Sequence, residues 1–437
     1  MFRSMLSSAA LVGAVTAGVK AVGFAKEIVV ASHFGTSDVM DCFTSAFVLW
    51  SFVFGVLGGA MPDALVPVDR RVRKKDSLQA SDQLAADITA IYLLKLLIVC
   101  AVVYFLAPLI IPFYCIEYSA EKQLMTLRLF RLLTPFAVFM GATLIFTMLL
   151  QANKRFLVST LAPIFGPAAA ILAILIGYNS LGIHSMVLGA ATGSALTLVL
   201  LWYWYVREIS SLPFHRFNPK LSANHRLVIS ASIPFLLSCL VQLSTSIVDT
   251  GMAAWLEPGS VSVRSFASRT CQIGLTLVAT AITSAFYPYL ADLVADQNWS
   301  KLRSTVLRFS ALVVIFSIPL IAAIWLFAEP IVGLIYERGE FSVEDTVRVA
   351  SVLRWLSLQI PFYILAILGA RVNCAILASK FMLLSACVNI VVNMVLNYVL
   401  IRFAGMGVEG IALSTVITYA VSAIMLYWHF LRKISSC

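Results

Sequence analysis

The chain has 437 residues, of which 61% are hydrophobic and only 12% charged, and its mean hydropathy is +0.94. A soluble core does not need so much apolar sequence, so the composition excludes a soluble enzyme and indicates a polytopic membrane protein. The net charge of +10 is spread over the loops between apolar segments, which argues against a nucleic-acid-binding patch.

The apolar stretches predict the fold class. A helix needs roughly 20 apolar residues to cross the hydrocarbon core. Twelve stretches meet this requirement, so we predict an all-α polytopic membrane protein with about 12 transmembrane helices. They lie near residues 5–31, 40–62, 86–112, 127–151, 157–178, 185–206, 227–252, 263–289, 305–328, 347–373, 381–403 and 408–431.

The charges between these segments alternate in sign. Lys and Arg concentrate between predicted spans 2 and 3, 4 and 5, 6 and 7, and 8 and 9, and again at the C-terminus; Arg70–Lys75 is one example. The loops between the other predicted spans carry mainly acidic residues. By the positive-inside rule, both termini are expected in the cytoplasm. The N-terminal apolar run resembles a signal peptide, but Lys20 interrupts it.

Ordered landmarks predict an internal repeat. Pro108 and Pro330 each stand six residues before a tyrosine, at an offset of 222, and Pro135 and Pro361 each stand 19 residues before a lysine, at an offset of 226. Two sets of six helices start on the same side, as in parallel repeats. We therefore predict an N-terminal six-helix lobe at 1–206, a cytoplasmic linker at 207–226 and a C-terminal six-helix lobe at 227–437.

Charges inside the predicted spans are the strongest functional signal, because one at a helix centre costs about 2.5–3.5 kcal/mol and usually has a role. Lys20, Lys26 and Glu27 lie in helix 1, and Asp41 opens helix 2. Lys20 and Glu27 are seven residues apart and share a face, with Lys26 roughly 100° from Glu27.

The second lobe carries a matching set. Asp249 lies in helix 7, and Arg264 and Arg269 lie in helix 8. Lys26 and Arg269 are both expected on the order of 10 Å below the outer boundary, at 1.5 Å per residue. A group of cations balanced by acids between the lobes suits phosphate, although salt bridging that only holds helices together explains the same residues.

Other polar residues in the spans are weaker candidates for lining a cavity. Lys95 would either line a cavity or extend to the interface. Asn389, Asn393 and Asn397 fall at i, i+4 and i+8, so their amides share one helix face that lines a cavity or bonds to a neighbouring helix.

Catalytic and metal-binding patterns are missing from the sequence. There is no glycine-rich phosphate loop, no HExxH and no CxxC among the eight cysteines. We expect a transporter rather than an enzyme, with no cofactor and no metal. Its acids, Glu27, Asp41 and Asp249, would balance the cations or couple transport to Na⁺, H⁺ or the membrane potential.

Several motifs, in order, resemble the MviN/MurJ family of lipid II flippases, within the multidrug/oligosaccharidyl-lipid/polysaccharide exporter superfamily. The resemblance rests on these segments: Val22–Glu27, Phe34–Gly35, Asp41–Phe43, Ala64–Pro67, Asp249, Gly259–Ser262, Phe266–Ala267, Arg269 and Tyr336–Phe341.

The resemblance implies a function and a site. Members of this family flip an undecaprenyl-pyrophosphate-linked peptidoglycan precursor across the bacterial plasma membrane. The essential basic positions of the family carry onto Lys20, Lys26 and Arg269, and its acidic position carries onto Asp41. We expect a flippase that works by alternating access as a monomer, with a polyprenyl-linked glycan as its partner.

The sequence also departs from the family. A further basic position falls at or near Phe54, two family arginines are lysines here, and the last two helices, which help form a lipid-tail groove in the family, are missing. A polysaccharide-unit exporter therefore stays open as an alternative. A multidrug cation antiporter is disfavoured by the basic residues, and a glycosyltransferase by the short external loops. A scaffold without transport activity also stays open.

Overall fold

The structure is a computed structural model that describes residues 2–59, 72, 78–153, 155–208, 223–281, 286, 289, 290, 293, 294, 296–376 and 378–435. Nearly all of these residues are helical, and none of the residues so described is in a β-strand. The predicted all-helical fold is confirmed. Most of the predicted linker at 207–226 lies outside the described residues, and the lobe boundaries stay a prediction.

The chain divides into two compact units, residues 1–34 with 38–243 and residues 35–37 with 244–437. The helices of the first unit are α1 (Phe2–Phe34), α2 (Asp38–Gly59), α3 (Leu78–Tyr114), α4 (Ala120–Leu132), α5 (Thr134–Ala152), α6 (Phe156–Leu161), α7 (Phe165–Leu181) and α8 (His184–Glu208). A short 3₁₀ turn, Ala162–Ile164, joins α6 to α7.

The remaining helices are α9 (Ala223–Ala253), which runs from the first unit into the second, α10 (Ser260–Ala281), α11 (Trp299–Tyr336), α12 (Val343–Ser357), α13 (Gln359–Ala375), α14 (Ser379–Arg402) and α15 (Val408–Ser435). Each of the twelve predicted apolar stretches overlaps one or two of these helices.

Two predicted spans are broken in the structure, at repeat-related positions. The stretch 127–151 divides at Leu133 into α4 and α5, and the stretch 347–373 divides at Leu358 into α12 and α13, with a bend of 44°. A proline follows each break by two or three residues, Pro135 and Pro361, and removes a helical hydrogen bond. In the first unit, Thr134 donates its hydroxyl to the Arg131 carbonyl at 2.8 Å.

The prolines of the other repeat landmark lie inside the longest helices. Pro108 is within the 37-residue α3, and Pro330 is within the 38-residue α11. Helix α11 also contains Pro319 and has a non-helical backbone at Phe327, with φ −113° and ψ 16°. Proline kinks a helix because its ring displaces the preceding turn, so α11 is bent along its length.

Many of the helices match the dimensions of a bilayer. Among the described residues, eight are long and apolar enough to cross a membrane, or nine if the bent pair α12–α13 counts as one span. The outward faces of these helices are rich in exposed apolar side chains, such as Phe113 (85%) and Leu326 (74%), as expected of surfaces that contact lipid. The chain is a multi-span membrane protein.

Aromatic and small residues pack the first unit. Trp50 of α2 stacks on Phe130 of α4 with ring centroids 4.5 Å apart and donates its indole N–H to the Phe130 carbonyl at 2.7 Å. Tyr92 of α3 donates its hydroxyl to the carbonyl of Gly141 in α5 at 2.9 Å. These bonds satisfy polar atoms that are buried among apolar side chains.

The turn Gly35–Ser37 between α1 and α2 belongs to the second unit. Gly35 has φ +51°, and a Cβ at this position would lie 2.4 Å from the Glu340 carbonyl oxygen. Thr36 donates its hydroxyl to the Asp345 carboxylate. Only glycine fits both the backbone conformation and the close approach at position 35.

Candidate functional site

The charges of α1 pair within the helix. The Lys26 ammonium lies 2.6 Å from the Glu27 carboxylate, and both side chains are largely buried. Lys20 is exposed. Because Lys20 and Lys26 are six residues apart, they lie about 120° apart around α1, so the helix places the two cations on adjacent faces rather than on one face.

Asp41, at the start of α2, is 1% exposed and forms a salt bridge with Lys122 at 3.2 Å. Lys122 comes from the first turn of α4, packs over the Tyr118 ring and reaches Asp38 at 2.6 Å. Lys122 does not stand out in the sequence because it lies outside the predicted spans, 81 residues from Asp41. Only the packing of α4 on α2 reveals the pair.

The two carboxylates keep Lys122 charged. Burial alone would lower the pKa of the Lys122 ammonium, but the charges and hydrogen bonds of Asp41 and Asp38 together raise that pKa above its ordinary value. Lys122 therefore holds its positive charge at neutral pH. This cluster is a structural ion pair at the end of α2 rather than an unoccupied anion site.

The second unit contains a more deeply buried cluster around Asp249 of α9. Arg264 of α10 donates to one oxygen of the Asp249 carboxylate, and Asn397 of α14 donates to the other at 2.8 Å. Arg264 also reaches the hydroxyl of Thr250 at 3.5 Å. Asp249 and Asn397 are 4% and 0% exposed, so the pair is shielded from solvent.

The predicted asparagine face contacts two neighbouring helices. Asn389 donates to the Ser422 hydroxyl of α15 at 3.0 Å, and Asn397 donates to Asp249. Asn393 is 1% exposed. The buried amide oxygens of all three accept no hydrogen bond from the described residues. This face therefore joins helices and also carries buried acceptor oxygens, one of them on Asn397, the residue that donates to Asp249.

Arg269 lies on α10, five residues after Arg264 and therefore about 140° from it around the helix. Arg269 lies near Tyr336 of α11, and the next residue, Thr270, donates to the Tyr336 hydroxyl at 3.1 Å. The two arginines of α10 thus belong to different surroundings. Arg264 is bound to a carboxylate, and Arg269 lies beside a phenol.

Two further predicted positions have apolar surroundings. Lys95 is exposed on α3 among exposed leucines and isoleucines, which fits an extended side chain better than a cavity wall. Phe54 is buried edge-on against Phe136 at 5.7 Å, so an aromatic contact stands where the family resemblance leads one to expect a basic residue.

The arrangement offers charge and hydrogen bonding but no metal chemistry within the described part of the chain, where no group of three His, Cys, Asp or Glu side chains is placed to hold a metal ion. A buried cation beside a carboxylate is suited to exchanging one anionic partner for another.

The profile of the family "Lipid II flippase MurJ" matches residues 30–436. The "Probable lipid II flippase MurJ" of Rhizobium meliloti (strain 1021) is 23% identical over 435 residues, covering 97% of this chain and 80% of the relative. That of Thermotoga maritima is 25% identical over 422 residues, covering 92% and 81%.

A solved structure, "Lipid II flippase MurJ, inward closed conformation", has a TM-score of 0.80 at 21% identity and covers 97% of this chain and 90% of its own. An inward-facing multidrug resistance MATE transporter of the MOP superfamily also has a TM-score of 0.80, at 17% identity, covering 95% and 94%. The structural likeness gives the fold, and the profile match gives the family. The chain belongs to the lipid II flippase MurJ family.

Proposed function

We propose that this transporter flips lipid II, a polyprenyl-pyrophosphate-linked glycan, across the bacterial plasma membrane. The observation that carries the proposal is the family match over residues 30–436, together with basic side chains at the positions where the resemblance implies head-group binding. Multidrug resistance MATE transporters with a similar fold have been solved in an inward-facing and in an outward-facing conformation, which supports an alternating-access mechanism.

In this proposal the pyrophosphate binds to Lys20 and Lys26 of α1 and to Arg269 of α10. Arg269 supplies a planar fork for two phosphate oxygens, and the lysines supply point charges. The Glu27 carboxylate holds Lys26 at 2.6 Å when no substrate is bound and releases it to the pyrophosphate. Exchange of one anion for another avoids exposing a bare cation at membrane depth.

The test is rescue of a bacterium depleted of its essential lipid II flippase. We expect wild-type protein to restore growth and Arg269→Ala to fail at an equal amount of membrane protein. Arg338→Ala is the matched control, because this exposed arginine lies two residues after the end of α11 and its guanidinium donates to the backbone carbonyls of Leu334 and Ile335. Full rescue by Arg269→Ala would remove the proposed site.

Phe54 favours one alternative substrate, a polysaccharide repeat unit on the same kind of carrier. An aromatic contact in place of a cation lowers the positive charge available to a pyrophosphate. Failure of wild-type protein to rescue, while it is present in the membrane, would favour this alternative. Rescue by the wild type would exclude it as the main activity.

We also propose that a cation couples to transport at Asp249. The support is the carboxylate together with the buried amide oxygens of Asn393 and Asn397, since Na⁺ is a hard cation that takes oxygen ligands. Arg264 competes with Na⁺ for Asp249, so entry of the ion would free the guanidinium. Transport into vesicles with and without a Na⁺ gradient tests this proposal, and an Asp249→Asn variant that keeps its Na⁺ dependence would refute it.

We propose that both termini face the cytoplasm and that the protein acts as a monomer. The support for the orientation is the concentration of basic residues in one set of loops. Reporter fusions at the C-terminus would read out its side. Mass measurement of the purified protein in lipid nanodiscs would test the monomer, and a stable dimer would contradict it.

A further inference from the structure

The second unit contains an apolar groove between α10, α11, α12 and α13. Its volume is about 540 Å³. One wall is α11, and the opposite wall carries Leu275 of α10 and Ile360 of α13. The full lining is Thr270, Cys271, Leu275, Val278, Phe309, Leu312, Val313, Phe316, Ser317, Leu320, Ile324, Ile331, Leu353, Ile360 and Ile364.

The groove exists because α11 does not pack along its whole length. Pro319 and Pro330 lie within α11, and the backbone is non-helical at Phe327. A proline kink tilts one half of a helix away from its neighbours, which leaves a cleft that the side chains do not fill. A volume of this size falls in the ordinary range for ligand-binding clefts.

The lining offers no free polar group to a head group. Thr270 donates to the Phe266 carbonyl at 2.9 Å, and Ser317 donates to the Val313 carbonyl at 2.7 Å. The Cys271 sulfur accepts a hydrogen bond from the side-chain amide of Gln359 at 3.4 Å. Because the polar lining atoms are bound within the protein, only hydrocarbon gains by entering the groove.

The groove is continuous with the lipid-contacting surface of α11. Leu312, Phe316 and Leu320 line it and are 51%, 69% and 50% exposed. Only 11% of the most apolar 18-residue stretch of α11 is buried within the protein. A hydrocarbon chain of a lipid therefore enters the groove laterally from the surrounding bilayer without passing through water.

The length of the groove identifies the kind of chain. Its lining on α11 runs from Phe309 to Ile331, which is about 33 Å of helix at 1.5 Å per residue. The hydrocarbon core is about 30 Å thick, so the acyl chain of a phospholipid reaches only about halfway across it. A groove that passes through both leaflets suits a chain that is longer than one leaflet.

We propose that this groove binds the polyprenyl chain of the lipid-linked substrate. The inference rests on the proposed function for the identity of the carrier. Thr270 and Cys271, at one end of the groove, directly follow Arg269, the residue proposed to bind the pyrophosphate. The groove holds the chain while the head group is bound nearby on the same helix.

The experiment uses full-length protein in vesicles of phosphatidylethanolamine and phosphatidylglycerol with a diazirine-bearing undecaprenyl diphosphate. After illumination, labelled peptides are mapped by mass spectrometry. We expect labels on α10 and α11 within the groove, and unlabelled undecaprenyl diphosphate should compete about tenfold better than farnesyl diphosphate, whose chain is too short to fill both leaflets.

Two variants fill the groove, Val313→Trp and Ile324→Trp, and each should lower labelling about fivefold. Ile315→Trp is the matched control, because this residue is on the same helix, 59% exposed and outside the groove lining. Unfolding temperature and membrane yield are measured for all three. Labelling that is unchanged in both folded groove variants would overturn the proposal.

Equal labelling of the groove by a diazirine-bearing phospholipid, undiminished by undecaprenyl diphosphate, would identify an ordinary lipid site and also overturn it. The binding readout does not require flipping, so the two proposals fail separately. If the wild-type protein fails to rescue the depleted bacterium but its groove is labelled and Val313→Trp lowers that labelling, the lipid II assignment is refuted and the groove is supported.

Discussion

Asp41 and Asp249 are both buried carboxylates held by a cation, one in each unit, but their surroundings differ. Asp41 shares Lys122 with Asp38, whose side chain is 56% exposed, so water reaches that cluster. Asp249 is bound by the buried Asn397 and by Arg264, whose side chain is 17% exposed, so no member of this cluster is as exposed as Asp38. Removing one partner of a solvated ion pair costs little, because water then solvates the remaining charge. Removing one partner of a buried pair costs more, because the remaining charge is left without compensation.

Arg264→Ala should have the largest effect. Removing one partner of a buried pair leaves the Asp249 carboxylate uncompensated, which costs about 3–5 kcal/mol. We expect a clearly lower unfolding temperature in detergent. The double variant Arg264→Ala with Asp249→Asn should recover most of the loss, because both charges are then gone. A double variant as unstable as the single would contradict the pairing.

Asn397→Ala should have the next largest effect. It removes a hydrogen bond to a charged acceptor, worth about 1.5–3 kcal/mol. Thermal unfolding provides the measurement, with Asn389→Ala as the control, because the Asn389 bond to the Ser422 hydroxyl joins two neutral groups and is worth about 0.5–1.5 kcal/mol. An equal loss of stability in the two variants would show that the charge of Asp249 does not strengthen its hydrogen bond with Asn397.

Lys122→Met should cost about 1–2 kcal/mol, because it keeps the apolar stem but leaves Asp41 with fewer partners where water still reaches the cluster. The loss should be smaller than that of Arg264→Ala in the same unfolding assay. Raised salt should narrow the difference from wild type. A loss as large as that of Arg264→Ala would show that the two clusters are equally dry.

Asp38→Asn should have the smallest effect, about 0.2–1 kcal/mol, because the Asp38 side chain is 56% exposed. Its contribution should vanish near 1 M salt, where screening extends over only about 3 Å. Unfolding at low and high salt measures it. A loss that does not depend on salt would mean that Asp38 acts through packing or a hydrogen bond.

The sequence singled out Asp249, Arg264 and Asn397 individually, but it did not indicate that they meet. Asp249 and Arg264 are 15 residues apart across a turn, and Asn397 is 148 residues from Asp249. Charges at membrane depth are visible in a sequence because they interrupt apolar runs. The partner of each charge depends on which helices pack together, as Lys122 demonstrates for Asp41.

The broken spans show a similar division. Pro135 and Pro361 were visible as repeat landmarks, yet both segments were predicted as continuous helices. A proline inside one kinked helix and a proline in the first turn of a new helix look the same in the sequence, so the break was not predicted. The break and the size of the bend, 44° between α12 and α13, are known only from the structure.

The sequence alone determined that this protein is a helical membrane protein with charged residues inside its apolar segments, because apolar length and charge interruptions are local properties of the chain. The tertiary structure decided which charges neutralise one another and where an apolar surface stays unfilled. The α11 groove illustrates the reason: leucines and phenylalanines four residues apart look alike in sequence whether they contact a neighbouring helix or an open cleft.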